Sequence, residues 1–185
     1  MVPRLTRTIA VFDEAERSTC MLLNRGARAR AVRGFFAAVS RLGNGVFWYV
    51  LMLLLAATQG SAGRVAALQM ALSALVGLGI YKVLKSRLVR ERPFVSHAGI
   101  ACGAPPLDRY SFPSGHTLHA VLFTCIAVTW FPQLAIALVL FTLLVAASRV
   151  VLGLHYPTDV VIGALIGWAL ARVSLWLYAP VMMPA

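Results

Sequence analysis

Ser148, Arg149, His155 and Asp159 bring a fixed cation, an imidazole and a carboxylate together in a stretch of otherwise apolar sequence. An imidazole four residues ahead of a carboxylate can give it one ring N–H. That contact fixes the tautomer and leaves the other nitrogen free to attack an electrophile. Residues 110–185 carry only three formal charges, Arg149, Asp159 and Arg172, and two of them fall in this cluster. Charge at membrane depth is costly and marks function by default. A His-Asp pair can be purely structural, but burying a lone carboxylate only to hold a helix is expensive, which favours chemistry.

Two earlier clusters complement it. Lys85 and Arg92 are seven residues apart, a spacing that puts them on one helical face two turns apart, and Pro93 follows to end the helix. Lysine binds phosphate as a point charge and arginine as a bidentate fork. By itself this cluster reads more readily as a basic helix end meeting lipid headgroups, since Lys82, Arg87 and Arg90 lie nearby. Pro113-Ser114-Gly115-His116 directly precedes an apolar stretch. The N-terminus of a helix there offers free N–H groups and the positive end of the dipole to an anion. Gly115 admits close backbone approach, Ser114 adds a hydroxyl while capping the helix, and the His116 imidazole can protonate a leaving oxygen. His119, one turn further on, reads as a hydrogen-bonding residue inside the bundle, and His97 as a solvated loop residue. A metal held by His116, His119 and Asp159 is disfavoured, because the surrounding Lys and Arg side chains repel a cation.

These clusters must be positioned by membrane helices. The chain has 185 residues, is 60% hydrophobic and 12% charged, and has a mean hydropathy of +0.81. That is too apolar for a soluble domain of this length. The net charge of +11 would suggest nucleic acid in a soluble protein. Beside apolar spans, the arginines are better explained by headgroups and topology, so no nucleic-acid partner is expected. Cys20, Cys102 and Cys125 lack disulfide or zinc spacing and read as small apolar fillers. Arg4 and Arg7 are not followed by an apolar core, so no cleavable signal peptide is expected.

Uncharged stretches predict an all-α integral-membrane bundle of about five transmembrane helices. The spans are 42–63, 65–81, two short helices within 117–148 separated at Phe131-Pro132-Gln133, and 158–179 with Arg172 snorkelling to a headgroup. Trp130 and Phe131 suit an interface. Residues 59–63 read as the first turn. Phe12, Ala15, Thr19 and Leu22 recur at helical spacing opposite Glu14 and Arg17, predicting an N-terminal amphipathic interfacial helix. The expected division is a basic N-terminal segment, 1–41, and a membrane domain, 42–185. With five spans, residues 82–116 and 148–157 emerge on the same side, so all three clusters meet at one membrane face.

Taken together, the clusters resemble the motif set of the type-2 phosphatidic acid phosphatase family, whose core is shared with vanadium haloperoxidases. That set reads Lys-x6-Arg-Pro, Pro-Ser-Gly-His and Ser-Arg-x5-His-x3-Asp, and every fixed position is present in order: Lys85, Arg92, Pro93; Pro113 to His116; Ser148, Arg149, His155, Asp159. The resemblance spans about residues 40–180. It implies a cofactor-free, metal-independent lipid phosphatase or diphosphatase working through phosphohistidine. His155 would be the nucleophile, Asp159 its orienting partner, and His116 the acid and then the base. Lys85, Arg92, Ser114, Gly115 and Arg149 would hold the phosphoryl oxygens. The expected substrate is an isoprenoid diphosphate, undecaprenyl diphosphate-like, or a phosphatidate-like lipid, with the bilayer as the other partner and no obligate protein partner. A lipid phosphotransferase, or a non-catalytic protein binding anionic lipid, are the alternatives. The second is disfavoured because binding alone needs only the basic residues. The resemblance implies a multi-pass protein of the inner (plasma) membrane with a periplasmic site. Arg25, Arg28, Arg30, Arg33 and Arg41 oppose this orientation under the positive-inside rule, as they precede the first span on the side of the site.

Overall fold

A computed structural model describes the backbone of residues 2–182 and the side chains of residues 13–178, so Arg4, Arg7 and Phe12 lie outside the described side chains. The described backbone is helical, with no strand. Helix α1 (Val2–Gly26) leads into α2 (Arg30–Arg41), α3 (Phe47–Thr58) and α4 (Gly60–Arg87). A short α5 (Pro93–Ser96) lies in the long connection to α6 (Gly115–Trp130), which is followed by α7 (Ala135–Val151) and α8 (Pro157–Met182).

Among the described residues four segments are long and apolar enough to cross a membrane: Arg30–Thr58, Gly60–Arg87, Pro132–Val151 and Pro157–Tyr178. The remaining apolar helix, α6, has 16 residues. At 1.5 Å per residue it measures about 24 Å, short of the ~30 Å hydrocarbon core. It can be short because α4, α7 and α8 surround it, leaving little of it to face lipid. Lipid instead meets Leu53, Leu75, Ile136 and Trp176, which point outward from the other helices.

Local chemistry shifts several expected boundaries. The first span begins earlier, as α2, and breaks at Asn44 and Gly45, where Gly45 has φ 115°. The expected turn at 59–63 shrinks to Gln59 and Gly60, because Gly60 adopts φ 60° and lets α4 start at once. The break at Pro132 is present as a single 3-10 turn, Pro132–Leu134. Trp130 does not simply anchor at an interface: its indole N–H donates to Gln69 Oε1 at 2.7 Å. Gln69 and Ser73 in turn donate to Ser174 Oγ at 3.1 and 2.7 Å, tying α4 to α8 through buried side chains.

The contact that matters most for the site joins α6 to α8. Gly163 and Gly167 are four apart on α8, and a Cβ on either would run into the α6 backbone, at the carbonyls of Ser114 and Leu118. Two hydrogens in place of side chains let the helices touch, as in other small-xxx-small packings. Ser114 N–H can then donate to the Asp159 carbonyl at 2.9 Å.

Helix α1 docks by an unexpected face. Ala15, Thr19 and Leu22 are exposed, and Glu14 and Arg17 pair with each other at the surface. The buried stripe is Glu16, Cys20 and Asn24, spaced by one turn. It is polar because it meets polar backbone: Asn24 donates to the carbonyls of Ala101 and Val151 at 2.9 and 3.0 Å and accepts from Ala101 N–H at 2.8 Å.

Gly163→Val is expected to destabilise the protein by about 1–3 kcal/mol through overpacking against α6. Gly79→Val, at a position where an added Cβ meets nothing within 4 Å, should leave stability nearly unchanged. Thermal unfolding of both variants in detergent checks the contrast.

Candidate active site

All three sequence clusters meet at one end of the bundle, formed by the C-termini of α4 and α7 and the N-termini of α6 and α8. Lys85 and Arg92 arrive there by a route the spacing did not indicate. Helix α4 stops at Arg87, and Arg92 is an extended residue (φ −77°, ψ 151°) ahead of Pro93, so the two share no helical face. Proline disfavours helix in the residue before it, and the chain turns back rather than continuing. What brings the two cations together is Asp108, which sequence reasoning missed. Its Oδ1 accepts from Lys85 Nζ and Arg92 Nη2, both at 2.7 Å, and its Oδ2 accepts from the Tyr81 hydroxyl. Burial pushes the Asp108 carboxyl up, but hydrogen bonds from Lys85 and Tyr81 and the charges of Lys85 and Arg92 outweigh it. The group is held below the usual carboxylate range. The available signal was an acidic residue in a strongly basic chain, six positions ahead of Ser114.

Arg149 is 2% exposed and donates to Ser40 Oγ on α2, and its Nε has no partner. Among the described residues no carboxylate neutralises it. A buried, unpaired guanidinium is expensive unless an anion joins it.

His155 reaches the same place through the end of α7. Gly153 (φ 71°) is the left-handed residue of a helix stop in which Leu154 N–H bonds Arg149 O at 3.0 Å and Gly153 N–H bonds Val150 O at 2.9 Å. His155 N–H also returns to Arg149 O, so nucleophile candidate and cation are fixed to one turn of backbone. The ring is buried, with Nε2 3.3 Å from Arg92 Nη1. Guanidinium can only donate, so Nε2 is the acceptor and Nδ1 carries the proton. Nδ1 faces Asp159 Oδ2, but at 3.7 Å the contact is longer than a hydrogen bond. Oδ2 instead accepts from Tyr156 N–H at 2.8 Å. Burial first, then the charges of Arg149, Arg92 and Lys85, push the His155 imidazole well below its ordinary value, so it is a free base at neutral pH.

Ser114 caps α6, its Oγ accepting from Thr117 N–H at 3.5 Å, and a side chain at Gly115 would strike the Tyr81 ring. Gly115, His116 and Tyr81 line a cavity of about 630 Å³ between α3, α4 and α6, whose walls are otherwise largely apolar, including Trp48, Leu53 and Leu75. The His119 ring lies between the carbonyls of Gly115, 2.9 Å from Nδ1, and Ala74, 3.4 Å from Nε2, and donates to one of them, while His97 bonds Tyr156 Oη at 3.2 Å rather than only water. Among the described residues no three His, Cys, Asp or Glu side chains cluster as metal ligands.

With this arrangement in view, the comparisons with known proteins are direct. The chain belongs to the PAP2 superfamily, which it matches over residues 66–182. It is 43% identical over 74 residues to phosphatidylglycerophosphatase B of Escherichia coli strain K12, covering 37% of this chain and 29% of that protein. It is 32% identical over 107 residues to undecaprenyl-diphosphatase BcrC of Bacillus subtilis, covering 56% and 55% of the two chains. The crystal structure of Aquifex aeolicus LpxE superposes with a TM-score of 0.74 at 26% identity, covering 85% of this chain and 92% of that one. The chain thus spans less than two thirds of the length of each of these two sequence relatives.

Asp108 occupies the Lys85 and Arg92 donors, so an anion that binds there must compete with it. Asp108→Asn removes the competing charge while keeping the shape, and should tighten inhibition by vanadate about tenfold, equivalent to ~1.4 kcal/mol. Titration of activity with vanadate in the two proteins checks this.

Proposed function

We propose that the protein hydrolyses the terminal phosphate of a membrane lipid phosphate or diphosphate through a phosphohistidine on His155. The observation that carries this reading is a largely apolar cavity that the donor cluster adjoins: Tyr81, Gly115 and His116 line it, and the Tyr81 hydroxyl accepts from Lys85 at 2.8 Å and donates to Asp108, the carboxylate that also holds Arg92. A lipid tail fits the first and a phosphate the second. An isoprenoid diphosphate or a phosphatidate-like lipid meets both requirements.

In this reading Lys85, Arg92 and Arg149 bind the non-bridging oxygens, displacing Asp108, while Ser114 Oγ and the Gly115 N–H add donors at the helix N-terminus. His155 Nε2 attacks phosphorus as the bond to the leaving oxygen breaks, and His116 gives that oxygen its proton. Asp159 stabilises the imidazolium-like charge on the Nδ1–H side, which requires the 3.7 Å gap to tighten as charge develops. His116, now basic, takes a proton from water, whose oxygen attacks phosphorus and frees His155 and inorganic phosphate. Water as acceptor makes this a phosphatase; an alcohol in its place would make it a phosphotransferase. We further propose that residues 42–185 form the catalytic membrane domain, preceded by a basic N-terminal segment, and that the site faces the periplasm from the inner membrane.

Purified protein should release phosphate from such a lipid in the presence of a strong chelator, and vanadate should inhibit more strongly than phosphate. Loss of activity in chelator, restored by a divalent metal, would overturn the metal-free mechanism. His155→Ala should abolish both turnover and labelling by terminally labelled substrate. His116→Ala should retain trace label with a leaving group that needs no proton. Asp159→Asn should cost about 100-fold or more in rate. Orientation can be read from Cys102, the exposed cysteine of the site-side connection, since Cys20 is buried and Cys125 half-buried. A membrane-impermeant maleimide should label Cys102 in intact cells with a permeabilised outer membrane, and labelling only after inner-membrane lysis would place the site in the cytoplasm.

A further inference from the structure

At 3.7 Å His155 and Asp159 share no hydrogen bond, so other groups hold the carboxylate in place. Asp159 is fully buried. Its Oδ2 accepts from Tyr156 N–H, and its Oδ1 accepts from Arg90 Nη1 at 2.9 Å. Arg90 lies between the motif residues Lys85 and Arg92 but belongs to neither fixed position. Its Nη1 also donates to Thr158 Oγ1 at 2.8 Å, and its guanidinium stacks 3.9 Å over the Tyr156 ring. Nη2 pairs with Glu16 Oε2 at 2.6 Å. The other Glu16 oxygen accepts from both Thr158 N–H, at 2.9 Å, and Thr158 Oγ1, at 2.6 Å. Glu16 is 5% exposed and 142 residues from Thr158 in sequence.

We propose that Arg90 and Glu16 are positioning residues for the reaction: Glu16 on α1 fixes Arg90, and Arg90 fixes the plane of the Asp159 carboxylate facing His155. This rests on the phosphohistidine reading above. The physical basis is that a buried carboxylate needs donors on both oxygens to stay ionised and in place. A guanidinium clamped by stacking and by a second carboxylate supplies a donor whose direction is fixed, which a freely rotating lysine would not. Glu16 also places its negative charge at the N-terminus of α8, where the helix dipole favours it. The nearby cations Lys82 and Arg87 are exposed, so Arg90 is turned inward by its specific partners rather than by general crowding. Helix α1 has a separate attachment in Asn24, which bonds Ala101 and Val151 and does not touch Asp159. Docking of α1 and orientation of Asp159 can therefore be tested apart.

The experiment is steady-state hydrolysis of short-chain phosphatidate by full-length protein in detergent, with melting curves for each variant. Arg90→Met should lower kcat about 10- to 100-fold with KM changed less than about threefold, as expected when a supporting contact behind a reacting group is lost. Arg90→Lys should recover part of the loss, and Glu16→Gln should lower kcat in the same direction but by less. Because Arg90 acts through Asp159, the double variant Arg90→Met with Asp159→Asn should be no slower than Asp159→Asn alone. Asn24→Ala should lower the melting temperature while keeping kcat within about twofold of the parent protein. The proposal is overturned if Arg90→Met keeps full kcat, if its loss multiplies with that of Asp159→Asn, or if Asn24→Ala loses as much kcat as Arg90→Met. Should Arg90→Met fail to fold, Arg90→Lys and Glu16→Gln decide by the same criteria, and full kcat in both overturns it. An inactive parent protein, or full activity in Asp159→Asn, would instead sink the underlying catalytic reading. An inactive Asp159→Asn beside a fully active Arg90→Met sinks only this inference.

Discussion

Charge buried at one end of an apolar bundle must be compensated locally, because the bilayer offers no water to do it. Four cations, Lys85, Arg90, Arg92 and Arg149, face three carboxylates, Glu16, Asp108 and Asp159, in this region. Asp108 serves Lys85 and Arg92 together, and Arg90 bridges Glu16 and Asp159. Arg149 is left with a hydroxyl and an unpartnered Nε. Under the proposed function, this excess of cations is where a substrate anion would bind, in the position that Asp108 occupies in part.

The surrounding backbone is tied down by close approach of helices rather than by long side chains. Gly163 and Gly167 set the distance between α8 and α6, and that distance puts the capped end of α6 beside Asp159. Gly153 does the equivalent for α7, reversing the chain so that His155 returns to the Arg149 carbonyl. Arg92 closes the circle by donating to Leu154 O at 2.7 Å while also facing the His155 ring. Backbone geometry thus sets the positions of the nucleophile candidate and two cations before any substrate arrives, which is the condition for preorganised electrostatic stabilisation.

The N-terminal helix takes part in this arrangement through its polar stripe. An amphipathic helix at a membrane surface ordinarily turns its apolar side to lipid and its polar side to water. Here the side carrying Glu16, Cys20 and Asn24 turns to protein, because the helix ends it meets expose backbone donors and acceptors that need partners. The Cys20 thiol sits inside that contact with its pKa pushed up to about 12, by burial and then by the charge of Glu16, so it is a packing group rather than a reactive one.

That the three clusters gather at one end of the bundle was legible from sequence, because each flanks the end of an apolar stretch; the hydrogen bond expected between His155 and Asp159 was not, since four residues of spacing do not fix a side-chain distance and the pair stands 3.7 Å apart. The all-helical membrane architecture was legible too, since uncharged length is read directly against bilayer thickness. Asp108, Glu16 and Arg90 were not, because nothing about a single acidic or basic residue in a polar stretch says which distant partner it will meet. The shared helical face expected for Lys85 and Arg92 was wrong for a related reason: Pro93 governs the backbone of Arg92, and a carboxylate from another loop decides where its guanidinium goes. Sequence determined which groups could act and on which side of the bundle they lie. Only the tertiary structure decided their pairing, because the pairing depends on helix separations of a few ångströms, set where Gly163 and Gly167 meet the backbone of another helix.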